Sequence, residues 1–407
     1  MVPKLRFKEF CGEWEKQKYS TFFEEENIKI NEEAEYPLYS LTIENGVTPK
    51  TERYERSFLI TKKGENYKKV NPGSFVYNPM NLRFGALSYN KEDFPVIVSG
   101  YYNIFKVKNP KTIGFWNNYL KTYKMLNYYY TIATGSLIEK KRVHFSQFLQ
   151  IEKEVPSLPE QTKIADFLST VDDKIQNQED KITHLENIKK GFMQKIFSRK
   201  IRFKDDRGEE FPEWEEKKLK EIVTLNGRIG FRGYTVQDIV KKGEGAISLS
   251  PSNIIDGNID IINTNLTYIS MYKYNESPEI KIEKNDIVLT KTASVGRCGI
   301  VKNTDELMTI NPQMVIIRSD NINMYFLNYQ LNNQLIQKEL FRRTVGGVVP
   351  TINQEEIYKI KIKVPCSKEQ QKIVDFLSLF DEKISTEKET LEHLKQLKKG
   401  LLQQVFV

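Results

Sequence analysis

The chain has 407 residues, 39% hydrophobic, 12% aromatic and 29% charged, with a net charge of +8. That length exceeds what one compact core holds, and the apolar content is too high for a disordered chain, so more than one globular domain is expected. A mildly basic balance is compatible with an anionic partner without identifying it. Cys11, Cys298 and Cys366 form no Cys-x-x-Cys pair, which argues against a zinc site or a disulfide framework and for a reducing compartment. The first residues lack the apolar run of a signal peptide, and no stretch approaches the ~20 apolar residues of a membrane span. A cytoplasmic protein with no membrane association is expected.

The chain opens on Lys4-Leu5-Arg6-Phe7-Lys8 and Gly12-Glu13-Trp14-Glu15. Residues 15–154 then read as α+β, richer in strand than helix. The run Gly73-Ser74-Phe75-Val76-Tyr77 predicts a strand, followed by a loop from Asn78 to Gly85 that holds Asn81 and Arg83. Basic and aromatic residues interleave through Tyr54, Arg56, Lys62, Lys63, Tyr67, Lys68 and Lys69, and Lys140, Lys141 and Arg142 form a second basic run.

From Val155 to Phe197 the pattern changes to helix. Ile164, Leu168, Val171, Ile175, Ile182 and Leu185 keep a 4-3 spacing, with polar Gln178 and Lys189 at intervening seam sites. Such spacing holds one stripe toward a partner helix, the signature of a coiled coil, and polar seam residues fix register. A helix from residue 160 to 197 is about 57 Å long at 1.5 Å per residue. Ser157 followed by Glu160 predicts a capping box at its start.

The opening motif returns as Lys200-Ile201-Arg202-Phe203-Lys204 and Pro212-Glu213-Trp214-Glu215. Residues 215–363 form a second α+β insert unlike the first. Arg228, Arg232, Tyr234, Lys241 and Lys242 precede a predicted strand at Asp286-Ile287-Val288-Leu289-Thr290, and a loop with Lys291, Thr292, Ser294, Gly296 and Arg297 follows it. Arg342-Arg343 lies further on. The helical segment then recurs from Val364 to Phe406 at a constant offset of 209 (Glu369 − Glu160), with seam residues Ile373, Leu377, Phe380, Ile384, Leu391 and Leu394 and polar Glu387 and Lys398. Ser367 with Gln370 predicts its cap.

These repeats divide the chain into 1–154, 155–199, 200–363 and 364–407: two recognition domains, each followed by a conserved helical spacer. The expected fold is α+β with a pseudo-twofold internal repeat, the two helices pairing as an antiparallel coiled coil. Repetition at this length implies two copies of a whole module. Similar frames around unlike inserts suit a protein that reads two different things a set distance apart, and half-sites about one helical turn apart, ~34 Å, lie on one face of DNA.

Lys and Arg neutralise phosphates, while Arg, Asn and Gln reach base edges. The candidate DNA-binding residues are therefore Lys62, Lys63, Lys68, Lys69, Tyr77, Asn78, Asn81, Arg83, Lys140, Lys141 and Arg142 in the first insert. In the second they are Arg228, Arg232, Tyr234, Lys291, Thr292, Ser294, Arg297, Arg342 and Arg343. No phosphate-binding Gly-rich loop and no dinucleotide or S-adenosylmethionine turn occurs. Asn78-Pro79-Met80-Asn81 lacks the second proline and the aromatic residue of an adenine-methyltransferase loop. Glu279-Ile280-Lys281, a possible end of a nuclease acid-x-Lys motif, has no counterpart in the first half. His144, His184 and His393 are the only histidines. No catalytic constellation and no metal site is expected.

Phe-Lys-Glu-Phe-x-Gly-Glu-Trp from Phe7, Pro-x-x-x-Glu-Gln-x-Lys-Ile-x-Asp-Phe-Leu from Pro156 and Pro365, and Leu-Lys-Lys-Gly-Leu-Leu-Gln-Gln-Val-Phe from Leu397 closely resemble the specificity subunit of type I restriction-modification enzymes. The resemblance runs over the whole chain and rests on the paired occurrence of the motifs. It implies that each recognition domain reads one half of a bipartite, asymmetric site in double-stranded DNA, with the helices setting the spacer. It further implies two modification (methyltransferase) subunits and restriction (translocase/nuclease) subunits as partners. S-adenosylmethionine, ATP and magnesium would then be used by those partners, with none bound by this chain. The family supplies no fixed base-reading residues, so the contact residues rest on loop and charge alone. A coiled-coil scaffold joining two protein-binding domains is the alternative reading of the same repeat.

Overall fold

The computed structural model describes residues 2–30, 36–50, 67–137 and 140–406. The chain folds into two compact units: unit 1 is 1–180 with 388–407, and unit 2 is 181–387. The central helix (Leu158–Phe197) and the C-terminal helix (Ser367–Val405) each contribute one half to each unit. Among the described residues no helix is long and apolar enough to cross a membrane.

Each unit is built on the same frame. In unit 1 the strand Glu15–Lys18 pairs antiparallel with Glu152–Val155, and in unit 2 Glu215–Lys218 pairs with Lys361–Val364. Pro156 and Pro365, which have no N–H to offer, end the second strand, and a long helix begins two residues later. Its first turn closes with Gln161 N–H on the Ser157 carbonyl at 2.9 Å, and Gln370 N–H on the Cys366 carbonyl at 3.0 Å. Ser367 is thus the first residue inside its helix, and the cap expected at that position falls one residue earlier, on Cys366.

The capping-box role expected of Glu160 is also replaced. Its carboxylate is 1% exposed and accepts two bonds from Arg6, Nε and Nη2 both at 2.8 Å, and one from Trp14 Nε1 at 3.3 Å. In unit 2 Glu369 accepts from Arg202 Nη2 at 3.0 Å and Nε at 3.3 Å, and from Trp214 Nε1 at 3.0 Å. A planar guanidinium fork satisfies both carboxylate oxygens, a stronger arrangement than a single backbone amide. The neighbouring Gln161 and Gln370 donate back to the Pro156 and Pro365 carbonyls at 2.9 and 2.8 Å. The repeated motifs at the module starts and at the helix starts are the two sides of this lock.

Within each unit the two helix halves run antiparallel. In unit 1 Asp172 pairs with Lys398 at 2.5 Å and Glu179 with Lys395 at 2.7 Å, so the partner number falls as the residue number rises. In unit 2 Lys181 pairs with Glu387 at 2.7 Å, Lys189 with Asp381, and the Phe192 ring packs on Phe376 and Phe380. Asp172–Lys398 and Lys189–Asp381 are one contact seen twice, because each partner is displaced by the repeat offset of 209 (381 − 172; 398 − 189). Ile164, Leu168, Val171, Ile182, Leu185, Ile373, Leu377 and Ile384 are buried; Ile175, Phe380, Leu391 and Leu394 are half-buried. His184 and His393 are exposed.

The inserts differ. Unit 1 carries a four-stranded sheet in the order Phe23–Glu25, Asn103–Val107, Phe75–Tyr77, Leu87–Tyr89, with a three-stranded sheet and a hairpin beside it. Its main core is aromatic: Tyr19, Phe23, Phe75, Phe105, Trp116 and Phe148 meet mostly edge to face. Unit 2 carries a six-stranded sheet, ordered Thr224–Gly227, Met314–Arg318, Ile287–Thr290, Cys298–Ile300, Asn258–Ile259, Ile254–Ile255, and a four-stranded sheet. Its cores are mainly Ile, Leu, Val and Met. Phe75–Tyr77 and Ile287–Thr290 are buried on both faces, which explains why they read as unbroken apolar runs.

Candidate nucleic-acid interface

Both predicted strand-to-loop turns stand beside a second loop that returns to the frame. In unit 2 the chain leaves Thr290 and turns over Lys291–Arg297, closed by Thr290 N–H to the Arg297 carbonyl at 2.8 Å and Gly296 N–H to the Thr290 carbonyl at 2.9 Å. Ala293 (φ 64°) and Gly296 (φ 94°) take the left-handed conformation this tight turn requires. A hairpin from Val345 to Thr351, closed by two backbone bonds of 2.8 and 2.9 Å, runs alongside. Ala293 N–H to the Pro350 carbonyl (2.9 Å) and Ile352 N–H to the Lys291 carbonyl (2.8 Å) join them. The Asn311–Gln313 turn adds a third segment, with Lys291 N–H on the Gln313 carbonyl at 2.8 Å.

Unit 1 repeats the plan with other residues. The Asn78–Gly85 loop is held by Asn78 N–H on the Ala86 carbonyl at 3.1 Å, and Asn78 Oδ1 accepts from Met80 N–H at 3.0 Å. The second loop is closed by Thr134 and Arg142, which exchange two backbone bonds of 2.9 Å. Val143 N–H reaches the Pro79 carbonyl at 3.0 Å. Val143 and Ile352 are 209 apart, the offset of the helices, so the junction belongs to the repeated frame and the loops to the inserts.

The structure therefore gathers Asn78, Asn81, Lys140, Lys141 and Arg142 in unit 1, and Lys291, Thr292, Ser294 and Arg297 in unit 2, each set around one loop pair. Arg342 lies at the end of the helix Gln334–Arg342, next to the hairpin, and is 76% exposed. Arg297 is exposed and also donates to the Ile254 carbonyl.

Burial of Tyr77, Arg83 and Arg228 corrects those three expectations, and other candidates are engaged within the fold. Tyr77 is fully buried in the aromatic core, its hydroxyl on the Val143 carbonyl at 3.2 Å, because its strand has no open face. Arg83 is 8% exposed and lies against the rings of Phe84 and Tyr130, at 4.7 and 5.6 Å from their centroids. Arg228 is 6% exposed and donates to the Ile310 carbonyl at 3.1 and 3.2 Å and to Thr309 Oγ1 at 3.3 Å. Arg343 is held between Glu339 and Glu356 at 2.7 and 2.9 Å. Arg232 donates to the Glu276 carbonyl at 3.1 Å, and Tyr234 accepts from Ser248 at 3.1 Å. Lys68 donates to the Tyr102 carbonyl at 2.8 Å and Lys69 to Tyr36 Oη at 2.9 Å, on a sheet separate from the loop pair. In each case a long cationic or phenolic side chain finds its partner inside the fold, which a count of charges does not reveal. Tyr54, Arg56, Lys62 and Lys63 lie outside the described residues.

The electrostatics single out Lys291. Partial burial lowers its pKa, and no acceptor for its ammonium occurs among the described residues. Residues that charge counting passed over also border the loops: Phe84 (51% exposed), Tyr130, Gln313 and the Gly346-Gly347-Val348-Val349 tip. The available signal was positional, since Thr134-Gly135 and Val345-Gly346-Gly347 stand at matching places before the short helices Phe145–Leu149 and Gln354–Tyr358. Among the described residues no cluster of His, Cys, Asp and Glu is placed to hold a metal ion.

Repeated helices closing two unlike α+β inserts define a family. The model of the type I restriction modification DNA specificity domain matches residues 8–187 and again 212–396. The chain belongs to that family. It is similar to the type I restriction enzyme MjaVIII specificity subunit of Methanocaldococcus jannaschii, 27% identical over 266 residues, covering 63% of this chain and 61% of that protein. It is also similar to the EcoBI specificity subunit of Escherichia coli, 24% identical over 242 residues, covering 54% and 49%. The chain thus spans about half to three-fifths of the length of these curated relatives. Its fold is shared by the S subunit of a type I restriction-modification system from M. genitalium, with a TM-score of 0.55 at 16% identity over 100% of this chain and 99% of that one. A chain from a structure of type I complex assembly and conformational transition gives 0.56 at 14% identity, covering 97% and 98%.

Proposed function

We propose that this chain is the non-catalytic, DNA-reading subunit of a type I restriction-modification complex in the cytoplasm. Each unit reads one half of a bipartite, asymmetric duplex site through its loop pair. Two modification subunits add methyl groups to adenine with S-adenosylmethionine, and restriction subunits translocate and cleave with ATP and magnesium. The observation that carries this reading is the recurring backbone junction holding unlike loops: Pro79–Val143 in one unit and Lys291–Ile352 in the other. A frame that keeps position while side chains change is what two independent readers of one duplex require, since phosphate contacts position and base contacts specify.

The test is adenine methylation mapped across a host genome with the chain co-expressed alongside its modification subunit. A bipartite asymmetric motif that disappears when the chain is omitted supports the reading. A partner shown to be active and bound, yet producing no such motif, rejects it.

A further inference from the structure

The tip of the unit 2 hairpin, Val345-Gly346-Gly347-Val348-Val349-Pro350, carries no polar side chain, so it cannot read base edges by side-chain hydrogen bonds. Val348 is 98% exposed, Val345 61% and Val349 52%. Val348 contributes almost no burial to the fold, and Val345 and Val349 only part of theirs. The tip is nevertheless fixed. Two backbone bonds close the hairpin, and two more join it to the Lys291 loop. Gly346 has φ 98°, and a Cβ there would lie 2.8 Å from the Val349 carbonyl oxygen, so only glycine fits. Valine is stiff at χ1, so the projection is preorganised. The loop joined to it carries Lys291, whose partly desolvated ammonium has no acceptor among the described residues, and the exposed Arg342 ends the helix that precedes it.

We propose that this hairpin is an apolar wedge that enters the base stack of the half-site read by unit 2, while Lys291 seats the adjoining phosphate. The inference rests on the DNA reading above and extends it by assigning a mode of contact. A rigid apolar knob flanked by cations matches a surface that is apolar within and anionic at its rim, which is duplex DNA opened at a base step. Unit 1 has Ser136, Leu137, Lys140, Lys141 and Arg142 on the corresponding loop, a cationic edge suited to phosphates.

The test uses the assembled complex and duplexes carrying the mapped motif, with 2-aminopurine placed in turn at each step of the unit 2 half-site. Fluorescence is expected to rise at one step as its bases unstack. The double variant Val348→Ser, Val349→Ser is expected to lose that rise and to bind the motif about tenfold or more weakly. Its binding to random duplex and its salt dependence stay unchanged, while Val348→Leu retains the rise. Both substituted side chains are exposed, so matched melting curves confirm that folding is intact. An undiminished rise in the double variant, or unchanged motif affinity, overturns the wedge. Loss of partner-subunit binding with DNA binding intact also overturns it and assigns the tip to a protein contact. A wild-type complex with no sequence-specific duplex binding rejects the underlying reading and the wedge with it.

Discussion

The two units solve the same framing problem with the same residues and, under the proposed function, the same reading problem with different ones. Glu160 with Arg6 and Trp14, and Glu369 with Arg202 and Trp214, are near-identical locks. The seam pairs Asp172–Lys398 and Lys189–Asp381 are likewise one contact used twice. Above that frame the resemblance stops: unit 1 buries aromatic rings and offers a cationic loop edge, whereas unit 2 buries branched aliphatics and offers an apolar tip joined to the Lys291 loop. Buried polar contacts tolerate little change, because removing one partner strands the other, and so they persist between copies while solvent-facing loops diverge.

If the locks are equivalent, Glu160→Ala and Glu369→Ala should each cost about 3–5 kcal/mol, the scale for stranding one member of a buried ion pair. Hydrogen exchange read by mass spectrometry should place the first lesion in unit 1 and the second in unit 2. A loss below ~1 kcal/mol in either, or damage spread over both, would show that the shared motifs are not independent locks.

Beside the repeated seam pair the units differ in a way that pH can expose. Lys121 stands by Asp172–Lys398; burial, helped by the nearby Lys398 and Lys91 charges and opposed by Asp172, lowers its pKa to about 8. In unit 2 the neighbour is Tyr329, whose hydroxyl donates to Asp381 at 2.5 Å. A lysine depressed in the folded state binds fewer protons there than in the unfolded chain between about pH 8 and 10.5. Stability of unit 1 should therefore rise with pH across that window, by roughly 1–3 kcal/mol. Lys121→Met should abolish the slope in denaturant melts; a slope that persists would assign it elsewhere.

Smaller effects are expected at the loops. Lys291→Ala should weaken binding at the unit 2 half-site by about five- to tenfold, ~1 kcal/mol, whatever its bases, without touching the other half-site. Arg342→Ala should lower affinity for all sequences by only about two- to fivefold and reduce the salt slope by ~0.9. A sequence-selective effect of Arg342→Ala in competition binding would move that residue from phosphate contact to base reading.

The frame was legible because repetition and 4-3 spacing are properties of order along the chain, and the buried strands Phe75–Tyr77 and Ile287–Thr290 announced themselves as apolar runs. The loops after them were placed correctly in the chain, but their residues were not sorted. Arg83, Arg228 and Arg343 carry the charge of a phosphate contact yet are buried against rings or paired within the fold, and Tyr77 lies on a strand covered on both faces. Direction of a side chain depends on tertiary neighbours that a charge pattern does not encode. The capping role expected of Glu160 fails for the same reason, since its true partners lie more than 140 residues away in sequence. Nothing in the charge pattern marks the Val348 tip, which has no charge.

The most direct test of two readers on one frame is the methylation map of the wild-type complex set against that of Lys291→Ala, Thr292→Ala, Ser294→Ala in the same host. One half of the bipartite motif should relax or change while the other half and the spacing between them stay fixed. Equal change in both halves, or a shift in spacing, would contradict the division of reading between the units.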